Sequence, residues 1–108
     1  MANLFDSDNY ATTEPYEFTA GDRVAWKRTD LGTDYDNSLY TLTYEAKSDQ
    51  AGSASVTITA TASGSDYLIE ILHSTTAGYT TSSYHWDAYI TRDSDSARVK
   101  VDSGTWIV

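Results

Sequence analysis

The sequence predicts an all-β protein, and two observations lead to this prediction. Its 108 residues contain 13 serines and 16 threonines, beside nine tyrosines and three tryptophans. Threonine and aromatic side chains favour the pleated, half-buried surface of a sheet. Short runs that alternate apolar and polar residues recur about every eight to twelve positions with turn-formers between them, which is typical of an antiparallel sandwich. We therefore expect a single antiparallel β-sandwich of seven to eight short strands.

The first predicted strands lie on either side of a turn at residues 20–22. Residues 15–18 form a short edge strand that begins with Pro15, at a position where no ladder donor is needed. In the next strand, residues 23–29, alternate side chains share one face: Val24, Trp26 and Arg28. Residues 30–38 are rich in turn-formers and predict a loop.

Clean alternation marks the central strands. Residues 39–46, 55–62 and 67–73 are predicted strands, with turns at residues 47–53 and 63–66; the second turn has the composition of a tight hairpin. A further strand covers residues 84–91. The inward-facing residues of these strands are the predicted core: Tyr40, Leu42, Tyr44, Val56, Ile58, Ile69, Ile71, Trp86 and Ile90.

The remaining carboxyl-terminal residues predict mostly turns and one strand pair. Residues 74–83 are irregular and have room for one helical turn. A hairpin loop is expected at residues 92–96. Ser103 and Gly104 then separate two last strands, residues 97–102 and 105–108.

The first 14 residues are polar and have no clear period, so we expect residues 1–14 to form an extended arm that precedes a sandwich domain at residues 15–108. Leu4, Phe5 and Tyr10 are its large apolar side chains. They provide too little apolar surface to fold alone, yet they could anchor the arm in a groove.

Charge and composition exclude several classes of partner. Sixteen acidic residues against seven basic ones give a net charge of −9 and a pI near 4.3, which argues against nucleic acid and anionic membranes because phosphate-binding surfaces are basic. The absence of cysteine removes disulfides, thiolate zinc sites and cysteine nucleophiles. No run approaches 18 consecutive apolar residues, so no membrane-spanning helix is expected.

No catalytic, cofactor-binding or metal-binding residue is predicted. The two histidines, His73 and His85, are expected to be solvated or interfacial strand residues, and no nucleophile-elbow motif is present. Glu70 has no second carboxylate nearby in sequence, so a glycosidase pair cannot be argued. We therefore expect a protein that is not an enzyme; a histidine–carboxylate pair in a cleft would favour an enzyme.

Calcium is an alternative that the sequence leaves open. Aspartates separated by one residue can offer oxygen ligands to calcium, but the full loop pattern needs glycine at its sixth position, where Leu39 follows Asp34. Aspartate also favours turns for local hydrogen-bonding reasons. The spaced pairs are Asp6 and Asp8, Asp34 and Asp36, and Asp93 and Asp95.

Aromatic residues that are hard to place in the core suggest a contact surface. Tyr79, Tyr89 and Trp106 are in this group, and Val108 shares a strand face with Trp106. Tyrosine and tryptophan are enriched at protein–protein contacts and on sugar-binding platforms. The candidate interface residues are Leu4, Phe5, Tyr10, Tyr79, Tyr89, Trp106 and Val108.

Several segments resemble a known family. They are the turn FTAGD at residues 18–22, the strand VAWKR at 24–28, LYTLTY at 39–44, YHWDAYITR at 84–92 and VKVDSG at 99–104. In this order they resemble the β-sandwich domain of small proteins of tailed bacteriophages and prophages, over about residues 15–105. The resemblance implies a structural role in the virion, as a component of the head–tail neck, the tail, a fibre attachment or the capsid decoration, and it brings no catalytic residues.

Contacts with its own copies and with other virion proteins are the expected mode of action. We expect the arm to leave its own sandwich and to pack on a neighbour, and the edge of the strand at residues 105–108 to accept a strand from another chain. Deleting residues 2–14 should then leave the thermal midpoint nearly unchanged. An adhesive or carbohydrate-binding module, with Tyr79 and Tyr89 as stacking platforms, is the alternative.

Overall fold

Two antiparallel sheets pack against each other in the computed structural model, which describes residues 3–48 and 55–108. Within those residues the strands are β1 (Val24–Arg28), β2 (Tyr40–Ser48), β3 (Val56–Thr59), β4 (Thr61–Ser63), β5 (Asp66–Ile71), β6 (Ser83–Arg92) and β7 (Arg98–Ile107). One sheet has the order β1-β5-β4 and the other β3-β2-β6-β7. The all-β sandwich predicted from the sequence is confirmed.

Helical structure is confined to short turns in the described part of the chain. A 3-10 turn covers Ser7–Asn9, and α1 covers His73–Thr76. The helical turn was predicted for residues 74–83, one position later. Neither helix is long and apolar enough to span a membrane.

The core lies between the sheets and is built from the alternate residues that the sequence pattern identified. Seven of the nine predicted core residues are buried, and the other two, Tyr40 and Val56, pack against the margin of the core. Strand register is therefore as predicted, since a slip of one residue would move each of these side chains to the other face. The buried hydrophobic residues are Val24, Trp26, Leu31, Leu42, Tyr44, Ala46, Ile58, Tyr67, Ile69, Ile71, Tyr84, Trp86, Ala88, Ile90 and Trp106.

The predicted strand at residues 55–62 is wrong in one respect, because the structure divides it at Ala60. The part before Ala60, β3, pairs with β2, while the part after it, β4, pairs with β5 in the other sheet. The Ala60 amide donates to the Leu42 carbonyl at 2.9 Å, at the point where the chain crosses between the sheets. Alternation continues through the crossing, so the sequence pattern does not reveal it.

The prediction that Ser103 and Gly104 separate two strands is wrong. Both residues lie inside β7. Gly104 pairs with Trp86, and a Cβ atom at Gly104 would lie only 2.6 Å from the indole ring of Trp86. This glycine therefore makes room for a core tryptophan instead of forming a turn.

The turns are largely as predicted. Ser63 pairs with Asp66 across a two-residue loop whose Gly64 has a φ of 60°, as a tight hairpin requires. The hairpin between β6 and β7 is also confirmed. Of the predicted turn at residues 47–53, residues 47 and 48 belong to β2, and residues 49–53 lie outside the described residues.

The predicted edge strand at residues 15–18 is reduced to a single parallel bridge between Glu17 and Ile107. The Ile107 amide donates to the Tyr16 carbonyl at 2.9 Å, and the Phe18 amide donates to the Ile107 carbonyl at 3.0 Å. The chain's own residues therefore cover the end of β7.

Candidate interaction surface

The amino-terminal segment, residues 3–18, lies on its own sandwich. This finding corrects the expectation that an arm leaves the sandwich to pack on a neighbour. We call residues 3–10 the outer half of the segment and residues 11–18 the inner half, because they contact the sandwich in different ways. Whether residues 1–14 are a unit separate from the domain stays a prediction.

The inner half contacts a buried arginine. Arg28, the last residue of β1, is only 7% exposed, and its Nη1 donates to Glu14 Oε1 at 2.6 Å. The same Glu14 oxygen accepts a hydrogen bond from the Tyr44 hydroxyl at 2.6 Å. Asp30 and Asp102 complete the charge pairing of Arg28, at 2.9 and 3.2 Å. A buried cation is tolerated only when it is paired and hydrogen-bonded.

Electrostatic effects follow from this network. The hydrogen bonds to Asp30 raise the pKa of Arg28, and the same contact lowers the pKa of Asp30. Burial raises the pKa of Tyr44. Arg28 is therefore always charged, Tyr44 stays protonated near neutral pH, and Glu14 is the acceptor that both of them use.

At the start of the inner half, the backbone of Ala11 forms a hydrogen bond with the edge of β1. The Lys27 amide donates to the Ala11 carbonyl at 2.9 Å, and Ala11 forms a parallel bridge with Trp26. With the bridge at Glu17, this contact holds the inner half at two sheet edges. Deleting residues 2–14 would therefore remove partners of a buried charge and of a sheet edge, which argues against an unchanged thermal midpoint.

The outer half is held by a single arginine, Arg23, just before β1. Its Nη1 donates to the Leu4 carbonyl at 3.1 Å, and Nη2 donates to the Tyr10 hydroxyl. Its guanidinium carbon lies 4.9 Å from the centre of the Phe5 ring, and Nε donates to Glu70. Glu70 is thus an ion-pair partner of Arg23.

The side chains of Leu4 and Phe5 nevertheless point to solvent, with 64% and 74% of their surface exposed. A 3-10 turn follows them, and the Asp6 carboxylate caps it by accepting from the Asp8 amide at 3.0 Å. We call Leu4 and Phe5 the amino-terminal tip. Tyr10 is half-buried and contacts Arg23. Of the three residues predicted to anchor the arm, two are therefore exposed and the third is partly covered.

A small apolar concavity lies where β6 turns into β7. We call it the hairpin hollow; it measures about 310 Å³ and is lined by Tyr35, Tyr40, Ile90, Arg92, Ala97 and Val99. Tyr35 and Tyr40 meet edge to face with ring centres 5.4 Å apart, and Val99 is 52% exposed.

The hairpin hollow was not predicted from the sequence. The sequence offered one signal, the alternation of Val99 and Val101 with charged residues; in the structure Val99 pairs with Ile90 and faces the same side of the sheet. Tyr35 comes from a loop, and nothing in a loop sequence fixes where its side chain goes. Arg92 lies at the rim and pairs with Asp95, which lowers the pKa of Asp95 to about 2.

Trp106 and Val108 were predicted at an interface, and for Trp106 the structure contradicts this. Trp106 is fully buried and packs edge to face on Phe18 and Trp26, with ring centres 5.6 and 5.8 Å away. Val108 is half-buried against the same core. The prediction failed because Gly104, being inside β7, keeps Trp106 in register with the inward face of the strand.

Tyr79 and Tyr89 are partly covered. Tyr79 packs on Phe18 and Tyr84, and burial raises its pKa to about 12. The guanidinium carbon of Arg98 lies 3.8 Å from the centre of the Tyr89 ring. One face of Tyr89 is thus occupied, and Tyr79 is held within an aromatic cluster.

A histidine–carboxylate pair lies on the outer face of the four-stranded sheet. His85 Nε2 lies 3.2 Å from Asp87 Oδ1, beside a shallow depression also lined by Glu45, Lys47 and Thr57. The His85 side chain is 60% exposed. A nucleophilic site would also need a hydroxyl or thiol bonded to the base, and no such bond to His85 is found in residues 3–48 and 55–108.

Metal ligands are likewise not gathered anywhere in the described ranges. No group of three or more histidine, aspartate or glutamate side chains there could hold a metal ion. The paired aspartates serve local structure instead: Asp36 accepts from the Ser38 amide, and Asp95 accepts from the Ala97 amide.

Comparison of the sequence with protein-family models and with curated proteins found no match.

Proposed function

We propose that this chain is a non-enzymatic structural protein that acts through protein–protein contacts, as a component of a tailed-phage particle. The observation that carries the proposal is the amino-terminal tip, where two large apolar side chains face solvent from a backbone that Arg23 holds in place.

An exposed apolar pair on an ordered backbone is suited to binding. Burial of a large apolar side chain gives about 1.5–3 kcal/mol, and a contact is weakened when the segment that makes it must first be ordered. Arg23 and the capped 3-10 turn supply that order in advance. The tip therefore presents apolar surface at a low entropic cost.

The assignment to a phage particle rests on the sequence resemblance over residues 15–105. Two further features agree with it. The net charge of −9 favours solubility before assembly, and the site residues support contacts with copies of the chain and with other virion proteins. The proposed location is the virion; neck, tail, fibre attachment and capsid decoration remain alternatives within it.

Quantitative mass spectrometry of purified particles tests the proposal. Particles are prepared from a lysing bacterial host that carries the gene, and the copies of this chain per particle are counted. The wild-type chain should be present at a fixed stoichiometry, while a double variant, Leu4→Ser with Phe5→Ser, should fall at least tenfold. Leu39→Ser is the matched control, since Leu39 is an exposed leucine beside the β6–β7 hairpin, where its carbonyl accepts from the Asp93 amide, and it should be incorporated normally.

Two outcomes would overturn the proposal. If the wild-type chain is absent from the particles, the virion assignment is wrong. If the double variant is incorporated as well as the wild type, the tip is not the contact surface.

The carbohydrate-binding alternative requires open aromatic faces. Arg98 occupies one face of Tyr89 and Tyr79 is packed in a cluster, which favours the protein-contact proposal. A glycan array reports directly on this alternative: sugar binding that is lost on Tyr89→Ala would replace the proposal.

A further inference from the structure

We infer that two copies of this chain pair edge to edge through strand β3, with the two β3 strands running antiparallel across a two-fold axis. The inference rests on the proposed mode of action through protein contacts, and it names a second copy as one partner. Because β3 lies in a different part of the molecule from the amino-terminal tip, the two contacts can be tested separately.

Strand β3 carries backbone groups that face away from its own sheet. It is the last strand in the order β3-β2-β6-β7. The Ala60 amide donates to the Leu42 carbonyl, and these two residues continue the register between β2 and β3. Hydrogen-bonded pairs alternate along an antiparallel ladder, so Ile58 bonds to β2 while the amides and carbonyls of Thr57 and Thr59 point outward. No hydrogen bond from residues 3–48 or 55–108 reaches these outward groups.

The pairing on the other side of β2 agrees with this alternation. The Asp93 amide donates to the Leu39 carbonyl, in the register that joins β2 to β6. Odd-numbered residues of β2 therefore bond to β6, and even-numbered residues bond to β3. The side chains of Thr57 and Thr59 are exposed on the outer face of the sheet, so solvent has access to this edge.

Other sheet edges in the described part of the chain have features that discourage strand addition. The amino-terminal segment covers the edge of β1 at Ala11 and the end of β7 at Ile107. Farther along β7 lie a register shift and the exposed Lys100, and β4 has only three residues. Charges, bulges, covering segments and short strands all protect edges. Strand β3, with the sequence VTIT, lies in a stretch, residues 55–65, that contains no charged side chain and no proline.

The outward groups of β3 are complementary to those of a second β3 strand. When two antiparallel copies place Ile58 opposite its counterpart, Thr57 of each copy lies opposite Thr59 of the other. All of the outward amides and carbonyls of these threonines then pair with each other. Threonine also lies beside threonine on the outer face, which is a favourable cross-strand pair. The contact is isologous, so association ends at a dimer.

Charge favours a second copy over a partner that is selected by its charge. The net charge of −9 makes two copies repel each other over most of their surface. Glu45, the charged neighbour of Thr57 on β2, is bound by Arg98 at 2.9 Å, and β3 itself is uncharged. Two copies can therefore approach at β3 without placing like charges opposite each other. A strongly basic or acidic peptide would gain nothing from this edge.

Charge-swap variants test the inference. The lysine variant is Thr57→Lys with Thr59→Lys, and the glutamate variant is Thr57→Glu with Thr59→Glu. In sedimentation velocity at up to about millimolar concentration, the wild-type chain should form dimers. Each variant alone should stay monomeric, because like charges then face each other. The equimolar mixture should form heterodimers about tenfold or more tightly than either variant alone, since opposite charges face each other.

Matched controls are available at the opposite edge of the same sheet. Ser103 and Thr105 of β7 are exposed on the outer face, opposite Asp87 and His85 of β6. The same lysine and glutamate substitutions at these two positions change the net charge equally and should leave dimer formation as in the wild type.

Amide hydrogen exchange of the wild-type chain measures the same contact at the backbone. In dilute solution the amides of Thr57 and Thr59 should exchange fast, whereas the Ile58 amide, which bonds to β2, should exchange slowly. As the concentration rises, the exchange of Thr57 and Thr59 should slow in step with the dimer fraction. This measurement needs no variant, so it tests the inference even where a substitution prevents folding.

Three outcomes would overturn the inference. A wild-type chain that stays monomeric has no such contact, and a mixture of the charge-swap variants that fails to associate excludes β3 as the contact. Slow exchange of Thr57 and Thr59 in the monomer would show that the chain covers this edge itself. If particles nonetheless contain the chain in a tip-dependent manner, the proposed function stands and only the β3 contact is wrong.

Discussion

The two halves of the amino-terminal segment are joined to the same sandwich by different physical means. The inner half places Glu14 against a buried arginine and a buried tyrosine, and it adds backbone hydrogen bonds at two sheet edges. The outer half depends on one partly exposed arginine, Arg23, and leaves Leu4 and Phe5 in solvent. The inner half therefore belongs to the fold, whereas the outer half presents a surface.

This difference follows from the burial of the charges involved. Removing one partner of a buried charge leaves a cost that water cannot relieve. The guanidinium of Arg23 is partly exposed, so water can solvate it when it loses a partner, at a lower cost than for Arg28. Substitutions in the inner half should thus reduce stability, and substitutions in the outer half should reduce binding.

The largest expected effect on stability comes from comparing a buried aromatic residue, Trp106, with an exposed one, Phe5. Trp106→Ala should lower the free energy of unfolding by about 3–5 kcal/mol, because it empties the centre of the aromatic core. Phe5→Ala should change it by less than about 0.5 kcal/mol. Urea unfolding followed by circular dichroism measures both, and a small effect of Trp106→Ala would mean that the residue is not buried.

Two glutamates of the inner half give the next contrast. Glu14→Ala should cost about 1–3 kcal/mol, since Arg28 and the Tyr44 hydroxyl lose a shared acceptor while Arg28 keeps two aspartates. Glu17→Ala is the matched control at an exposed position, and its effect should be within about 0.5 kcal/mol. Equal effects in thermal or urea unfolding would contradict the role given to Glu14.

Arg23→Met tests the outer half alone. The loss of its contacts with Leu4, Phe5 and Tyr10 should release this half, so limited proteolysis should cleave before residue 11 several-fold faster than in the wild type. The free energy of unfolding should fall by no more than about 1 kcal/mol, because the ion pair with Glu70 is partly exposed. Unchanged cleavage would show that Arg23 does not hold the tip.

The smallest effect is a pH dependence in the inner network. Arg28 lowers the pKa of Asp30, so this carboxylate stabilises the fold at pH values above its unfolded pKa of about 3.9. The contribution is lost as the pH falls from there through the lower, folded pKa, and it is modest since Asp30 is largely exposed. NMR titration of the Asp30 carboxyl group should give a midpoint below about 3.9; a midpoint at or above that value would rule out the contact.

The alternation of apolar and polar residues in the sequence correctly predicted which side chains of a strand face the core. The core faces of β2, β5 and β6 were correct because apolar and polar residues alternate there without interruption, and Gly64 marked its hairpin. Patterns could not reveal the sheet crossing at Ala60, where alternation continues, or the function of Gly104, which depends on a tryptophan eighteen residues away in the chain.

The candidate surface was only partly predictable for the same reason. Leu4 and Phe5 stood out because they are apolar residues in a polar stretch. Arg23, which positions them, gave no signal, since its partners come from distant parts of the chain. The hairpin hollow likewise depends on Tyr35, a loop residue whose position is set by the Tyr67 hydroxyl.

A pair of truncations compares the two halves most directly. Thermal unfolding is measured for the full chain, for a chain that lacks residues 2–10 and for one that lacks residues 2–14. The shorter deletion should leave the free energy of unfolding within about 1 kcal/mol of the full chain, because the contacts that it removes are exposed or only partly buried. The longer deletion should cost a further 3–5 kcal/mol or so, because it also removes Glu14 and the Ala11 carbonyl. Equal losses from the two deletions, or no loss from either, would contradict the division between a half that folds and a half that binds.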